Sequence, residues 1–102
     1  MIELHTGAYC GAEVAGETEA REAELARIVS MATFAREIGL EVHAGHGLTY
    51  DSVGPIAAIP ELAELNIGHF LIGEAIFVGL EAAIERMRAA MDAARALARQ
   101  AE

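Results

Sequence analysis

Short alternating segments and longer segments with helical periodicity follow one another along the chain. Alternation of apolar and polar residues at period two indicates β-strands, and it occurs at residues 2–6, 41–44 and 64–67. Apolar residues at helical spacing, or short apolar runs closed by glycine or proline, indicate helices, and they occur at residues 18–38, 51–59, 69–78 and 80–99. The glycine- and alanine-rich residues 7–17 predict a loop. The order βαβαβαα favours parallel strands with crossover helices, an α/β fold.

The three predicted strands share one motif, which reads Glu, apolar, His or Asn, apolar or Thr, and Gly. It occurs at residues 3–7, 41–45 and 64–68. Because side chains alternate along a strand, the glutamates and the His or Asn residues lie on one face and the apolar residues on the other. A doubly wound sheet is covered by helices on both faces and has nearly continuous apolar strands. The inner face of a (β/α)8 TIM barrel, here an unusually polar one, fits better, and the closing glycines mark the carboxyl edge, where such barrels hold their active sites.

Three strand–helix units are too few to close this barrel, which needs eight strands. We therefore expect residues 1–102 to form a single incomplete domain, a partial barrel with a short extra helix before the last one. The open sheet edges need cover. The chain is therefore expected to belong to a longer protein or to associate with further copies as a homo-oligomer.

Composition and charge narrow the classes of partner and location. The formal net charge is −9 with a pI near 4.8, which argues against nucleic acid or an anionic membrane as partner. The single cysteine, Cys10, excludes an internal disulfide and fits a reducing cytoplasm. No apolar run approaches the roughly 18 residues of a transmembrane helix.

Two histidines near the second strand, His43 and His46, are the first candidates for chemistry. With His5, His69 or Cys10 they could bind a metal ion. The chain has no spacing specific to zinc, such as paired CxxC or HExxH, and we predict no metal site. For His5 and His43 we favour a structural role, in which a glutamate of a neighbouring strand satisfies each imidazole.

His46 differs because it lies beyond the strand, between Gly45 and Gly47. Glycines permit unusual backbone angles and the close approach of a ligand. An imidazole in such a loop is a candidate general acid or base near neutral pH. A loop histidine with a purely structural hydrogen bond explains the pattern equally well.

A second candidate site follows the third strand, where Gly68 and His69 open the helix HFLIGEAIFV. The free N–H groups of a helix N-terminus attract anions, and many (β/α)8 enzymes hold a phosphate at a short extra helix. The pattern therefore predicts a phosphate site, with an ordinary strand-to-helix turn as the alternative. Cys10 has no helix start or basic neighbour to lower the pKa of its thiol, so we interpret it as incidental.

Several of these segments together closely resemble the carboxyl-terminal part of the pyridoxine 5'-phosphate synthase family. They are IELHTGAY, EVHAGHGLTYDSV, IAAIPELAELNIGHFLIGEAIFVGL and the final alanine-rich helix. AGHGLTY and ELNIGH are specific to that family. The resemblance implies a (β/α)8 barrel that condenses 1-deoxy-D-xylulose 5-phosphate with 3-amino-2-oxopropyl phosphate. The implied products are pyridoxine 5'-phosphate, inorganic phosphate and water, and no metal or organic cofactor is implied.

The resemblance also assigns roles to four residues. The histidine of AGHG, His46, corresponds to the family's proton donor. Gly47 corresponds to a residue lining the site of the amino-ketone phosphate, and Gly68 and His69 correspond to the residues that hold its phosphate.

This chain differs from the family in length, since the family's chains are more than twice as long. By resemblance this chain corresponds to strands six to eight, the last three βα units. We expect a truncated gene product or a fragment, since a further histidine, a glutamate and arginines of the family's amino-terminal half have no counterpart here. The alternatives are a non-catalytic partial barrel that folds only by self-association or fragment complementation, and an unrelated metal-binding α/β module.

Overall fold

A three-stranded parallel sheet with five helices makes up the computed structural model, which describes residues 1–101 except the side chains of His69 and Ala101. The strands are β1 (Ile2–His5), β2 (Val42–Gly45) and β3 (Leu62–Asn66). The helices are α1 (Gly7–Ala15), α2 (Thr18–Glu37), α3 (Val53–Ala57), α4 (Gly68–Val78) and α5 (Leu80–Ala101). The α/β prediction is confirmed.

The strands are parallel in the order β1-β2-β3. Glu3 pairs with His43, and His43 pairs with Glu64. The motifs of β1 and β3 are therefore in register with each other, and the motif of β2 is offset from them by two residues. This alignment brings the three strand ends, each closed by a glycine, to the same edge.

The two sheet faces differ as the alternation predicts. Leu4, Val42 and Ala44 are buried against the inner sides of α1 and α2 in one apolar core. Fully burying a side chain such as that of Leu4 or Val42 contributes about 1.5–3 kcal/mol, which favours this face toward the helices. On the opposite face Glu3 and Asn66 are exposed. No helix of the described residues covers that polar face closely enough to bury these side chains.

The prediction of a loop at residues 7–17 is wrong, because Gly7–Ala15 form α1. Two glycines lower the intrinsic helix propensity of this segment, and packing outweighs them. Tyr9, Cys10 and Ala12 are buried, and the Tyr9 hydroxyl donates to the Ser52 carbonyl at 2.9 Å. The helix ends at Gly16, whose φ of 73° is left-handed and typical of a C-terminal glycine cap.

The last two helices pack on each other, and α5 also packs on α3. Ala83 and Met87 are the buried residues on the inner side of α5, and Arg95 Nη2 donates to the Leu62 carbonyl at 2.7 Å. By contrast, Ile76 and Phe77 of α4 are 80% and 84% exposed. Among the described residues no helix is long and apolar enough to cross a membrane.

Candidate functional site

The candidate site lies at the carboxyl edge of the sheet, where His46 directly follows β2. Its φ is 92°, and it is the one non-glycine residue in the described chain with a positive φ. A side chain in this region is strained. Gly47 continues the reversal with a φ of 81°, and a Cβ atom there would lie 3.1 Å from the Cβ of Cys10. Two consecutive left-handed residues therefore lift the His46 ring out of the strand.

The end of β1 fastens this strained turn. Thr6 is completely buried, and its Oγ1 donates to the His46 carbonyl at 2.7 Å. Its backbone N–H donates to the Gly45 carbonyl at 2.9 Å. The Cys10 thiol lies 3.6 Å from the same His46 carbonyl. Residues 5–7, the HTG segment at the end of β1, therefore hold residues 45–47, the GHG segment at the end of β2.

The two histidines of these segments stack on each other. The ring centroids of His5 and His46 are 4.3 Å apart, with 27° between the ring planes. The Gly7 N–H donates to Nδ1 of His5 at 3.2 Å. The prediction that a neighbouring glutamate satisfies His5 is thus wrong, since the backbone of Gly7 occupies that ring nitrogen. A side chain at Gly7 would displace this ring, because a Cβ atom would lie 2.5 Å from Cε1 of His5.

His43 has the structural role that the sequence predicts. It is buried, with Nδ1 3.1 Å from an oxygen of Glu64 on the neighbouring strand. Its Nε2 lies 2.7 Å from an oxygen of Glu41. Both ring nitrogens are therefore engaged by carboxylates. Of the two histidines in the HxxH pair, His43 is therefore held within the polar face of the sheet, whereas His46 projects away from it.

A cleft of about 370 Å³ separates the His46 loop from the start of α4. Its lining residues are His46, Gly47, Leu48, Asn66, Ile67 and Phe70. Asn66 reaches across the sheet, where its Nδ2 donates to the Glu3 carboxylate at 2.6 Å. It passes over Gly45, at which a Cβ atom would lie 2.8 Å from the Asn66 carbonyl oxygen.

Helix α4 begins at this cleft with Gly68, so two of the predicted site residues line the cleft and a third opens the helix beside it. None of the described side chains caps the helix N-terminus, and a Cβ atom at Gly68 would meet nothing within 4 Å. The first N–H groups of α4 are therefore available to an anion. The side chain of His69, the fourth predicted residue, lies outside the part of the chain that the structure describes.

Sequence reasoning missed Tyr50, which ties the His46 loop to both carboxyl-terminal helices. Its ring meets Phe70 edge-on at 4.8 Å, and the guanidinium of Arg86 lies 4.1 Å from the ring centre. Its hydroxyl donates to the Ala83 carbonyl at 3.4 Å. The position of Tyr50 four residues after His46, in GHGLTY, is the signal that could have found it. The residue sets the spacing between the loop and α4.

Cys10 lies beneath the His46 loop and does not line the cleft. It sits in the first turns of α1, so the premise that no helix starts nearby is wrong. Burial nevertheless raises the pKa of its thiol, although hydrogen bonds from Ser52 and Thr6 partly oppose the shift. A buried thiol with a raised pKa is a poor nucleophile. Among the described residues no group of three or more His, Cys, Asp or Glu side chains is arranged to hold a metal ion.

Comparison with known proteins agrees with the sequence resemblance. The family model of PdxJ, described as pyridoxal phosphate biosynthesis protein PdxJ, matches residues 1–93. The pyridoxine 5'-phosphate synthase of Roseobacter denitrificans is 71% identical over 96 residues, which are 94% of this chain and 39% of that relative. The synthases of Jannaschia sp. and Rhodospirillum rubrum are each 68% identical, over 93% and 92% of this chain and 38% and 36% of their own lengths.

The chain thus spans less than two fifths of the length of these relatives. The family match, over residues 1–93, includes both strand-end segments and the start of α4. On this match, the chain belongs to the PdxJ family of pyridoxal phosphate biosynthesis proteins.

Proposed function

We propose that the chain is the carboxyl-terminal segment of a pyridoxine 5'-phosphate synthase. Its part of the active site would serve the condensation of 1-deoxy-D-xylulose 5-phosphate with 3-amino-2-oxopropyl phosphate. The products are pyridoxine 5'-phosphate, phosphate and water. The observation that carries the proposal is the cleft in which a strained histidine faces the uncapped start of a helix. The names of the relatives supply the synthase activity, and the two substrates follow from the sequence resemblance.

His46 is the proton donor in this proposal. Its ring is exposed at the cleft, whereas carboxylates surround His43. A positioned general acid contributes a factor of about 10²–10⁴ to the rate. Strained non-glycine residues cluster at functional sites. The φ of 92° at His46 supports a role for the imidazole that a glycine could not supply.

The start of α4 binds a substrate phosphate in this proposal. The N–H groups that follow Gly68 attract the anion, the open space around Gly68 leaves room for its approach, and Gly47 lines the cleft. His69 is the additional donor by resemblance. A cleft of about 370 Å³ is in the size range of small-ligand sites. The chemistry calls for no metal or organic cofactor.

The remaining parts of the site come from outside this segment. The exposed polar face of the sheet supports the view that residues 1–102 are the last three βα units of a (β/α)8 barrel, because the helices form the outer ring of such a barrel and the helix-free face of the strands turns inward. A complete barrel of this kind is expected to work in the cytoplasm as a homo-oligomer. By resemblance, the missing units carry the proton acceptors and the second phosphate site.

The test uses a hybrid enzyme in which this chain replaces the matching segment of the Roseobacter denitrificans relative. We expect His46→Ala to lower kcat by about 10²–10⁴-fold, as for loss of a general acid. The matched control is His43→Asn, because β3 carries Asn66 at the equivalent motif position. We expect the control to keep turnover near that of the unmodified hybrid. An unchanged kcat in His46→Ala would refute the assigned role.

A second candidate function is a non-catalytic partial barrel that folds by self-association or by complementation with another fragment. The specific observation in its favour is the apolar surface of α4, where Ile72, Ile76 and Phe77 are exposed. Contiguous exposed apolar residues of this kind mark interaction surfaces. Size-exclusion chromatography with light scattering tests this candidate. A well-folded monomer would contradict it, and an active hybrid would favour the enzyme.

A further inference from the structure

We infer that His5 is a positioning residue, whose ring holds the imidazole of His46 in its productive orientation at the cleft. This inference rests on the proposed role of His46 as proton donor. It assigns a task to the histidine of the HTG segment, for which the sequence suggested only a structural role within the sheet.

The backbone contacts of His46 do not orient its ring. Thr6 fastens the carbonyl of His46, and the ring itself projects into an exposed cleft. An exposed side chain without a partner exchanges between rotamers on a picosecond to nanosecond timescale. The stack on His5, at 4.3 Å between ring centroids, is the described contact that limits this rotation.

The ring of His5 is itself held, as a positioning residue requires. Gly7 N–H donates to its Nδ1 at 3.2 Å and so contacts the ring, while Arg27 Nη2 holds the backbone by donating to the His5 carbonyl at 3.1 Å. Strand pairing aligns His5 with Gly45, the residue immediately before His46. The stack therefore joins a ring anchored on β1 to a ring on a strained loop.

The absence of a side chain at Gly7 is part of this arrangement. A Cβ atom there would lie 2.5 Å from Cε1 of His5 and 3.0 Å from Cδ2 of His46, so it would push on both rings. Because Nδ1 of His5 accepts the Gly7 hydrogen bond, the neutral His5 ring carries its proton on Nε2. The Nδ1 atom is therefore occupied and does not serve as a base.

Two substitutions separate the stack from the hydrogen bond. His5→Phe keeps a flat ring for His46 and removes the acceptor, whereas His5→Asn keeps a short polar acceptor and removes the ring. In the hybrid enzyme we expect His5→Asn to lower kcat by about 10–100-fold with KM changed by less than about threefold, as for a misoriented catalytic group. We expect His5→Phe to restore most of that kcat.

Either of two results would overturn the inference: a kcat in His5→Asn equal to that of the unmodified hybrid, or an equal loss in both variants. A proton NMR spectrum of the present chain provides a readout that does not depend on turnover. The ring current of His5 shifts the side-chain protons of His46 upfield. We expect that upfield shift to disappear in His5→Asn and to persist in His5→Phe.

The two readouts also separate this inference from the proposed function. If His46→Ala leaves turnover unchanged, the proton-donor role fails whatever the spectrum shows. If His46→Ala abolishes turnover and His5→Asn does not affect it, the donor role stands and the positioning role fails. An unchanged His46 signal in His5→Asn would likewise refute the stack.

Discussion

Replacing His46 by glycine and, separately, by alanine measures the strain that the candidate site stores. Both substitutions remove the imidazole together with its stack on His5. They leave the carbonyl that Thr6 hydrogen-bonds. They differ in one respect, because glycine adopts a φ of 92° without steric cost and alanine does not. The difference between them therefore reports the backbone strain.

The expected difference follows from two opposing terms. A non-glycine residue in a sparsely populated backbone region costs about 1–3 kcal/mol. Glycine loses about 0.4–1 kcal/mol more than alanine by ordering on folding. At the mid-points of these two ranges, the free energy of unfolding should be about 1.3 kcal/mol higher for His46→Gly than for His46→Ala. For a domain of 60–100 residues, each kcal/mol corresponds to about 4–8 °C in Tm.

Urea unfolding of the two variants, followed by circular dichroism, gives this difference directly. The comparison is valid if the free energy of unfolding depends on urea concentration with the same slope in both variants, because both should expose the same surface on unfolding. Leu48 lies two residues away in the core with a negative φ, and Leu48→Ala against Leu48→Gly serves as the control pair. There alanine should be the more stable. If His46→Ala equals or exceeds His46→Gly in stability, the left-handed strain at this position is refuted.

Three further outcomes follow from the contacts around the site. Thr6→Val should lower the free energy of unfolding by about 1–2 kcal/mol in a urea titration, since a carbonyl loses its donor; no loss would contradict the fastening role. Gly7→Ala should displace the His5 ring, and an unchanged NMR signal of the stacked histidine would oppose this. Burial raises the pKa of the Cys10 thiol from 9.0 and of the Tyr9 phenol from 10.0. The unfolded chain therefore loses these protons first, so stability is retained below about pH 9 and falls as the pH rises further. A Cys10→Ala, Tyr9→Phe double variant should show a smaller fall between pH 9 and 11, and an identical fall would contradict it.

Local signals in the sequence were sufficient for the strands and for the longer helices. Period-two alternation located β1, β2 and β3 to within two residues, and helical spacing located α2 and α5. Helix α1 was missed because glycine and alanine carry a weak local signal. Its formation depends on burying Tyr9 and Cys10 against residues more than thirty positions away.

In the candidate site, too, some features could be predicted from the sequence and others could not. The glycines around His46 indicated an unusual backbone, and the φ of 92° agrees with that expectation. The stack of His5 on His46 was not predictable, because the two residues are forty-one positions apart and meet only through the alignment of β1 with β2. The role of Tyr50 depends in the same way on helices that follow it by twenty to thirty-six residues.

The sequence by itself determined the order of the elements, the polar and apolar faces of the sheet, and the family of the chain, because each depends on residue types and their spacing. The tertiary structure alone decided which side chains meet at the strand ends. Parallel pairing brings segments that are distant in the chain to one edge of the sheet. Only there do the contacts of Thr6, Gly7 and His5 with the His46 loop arise.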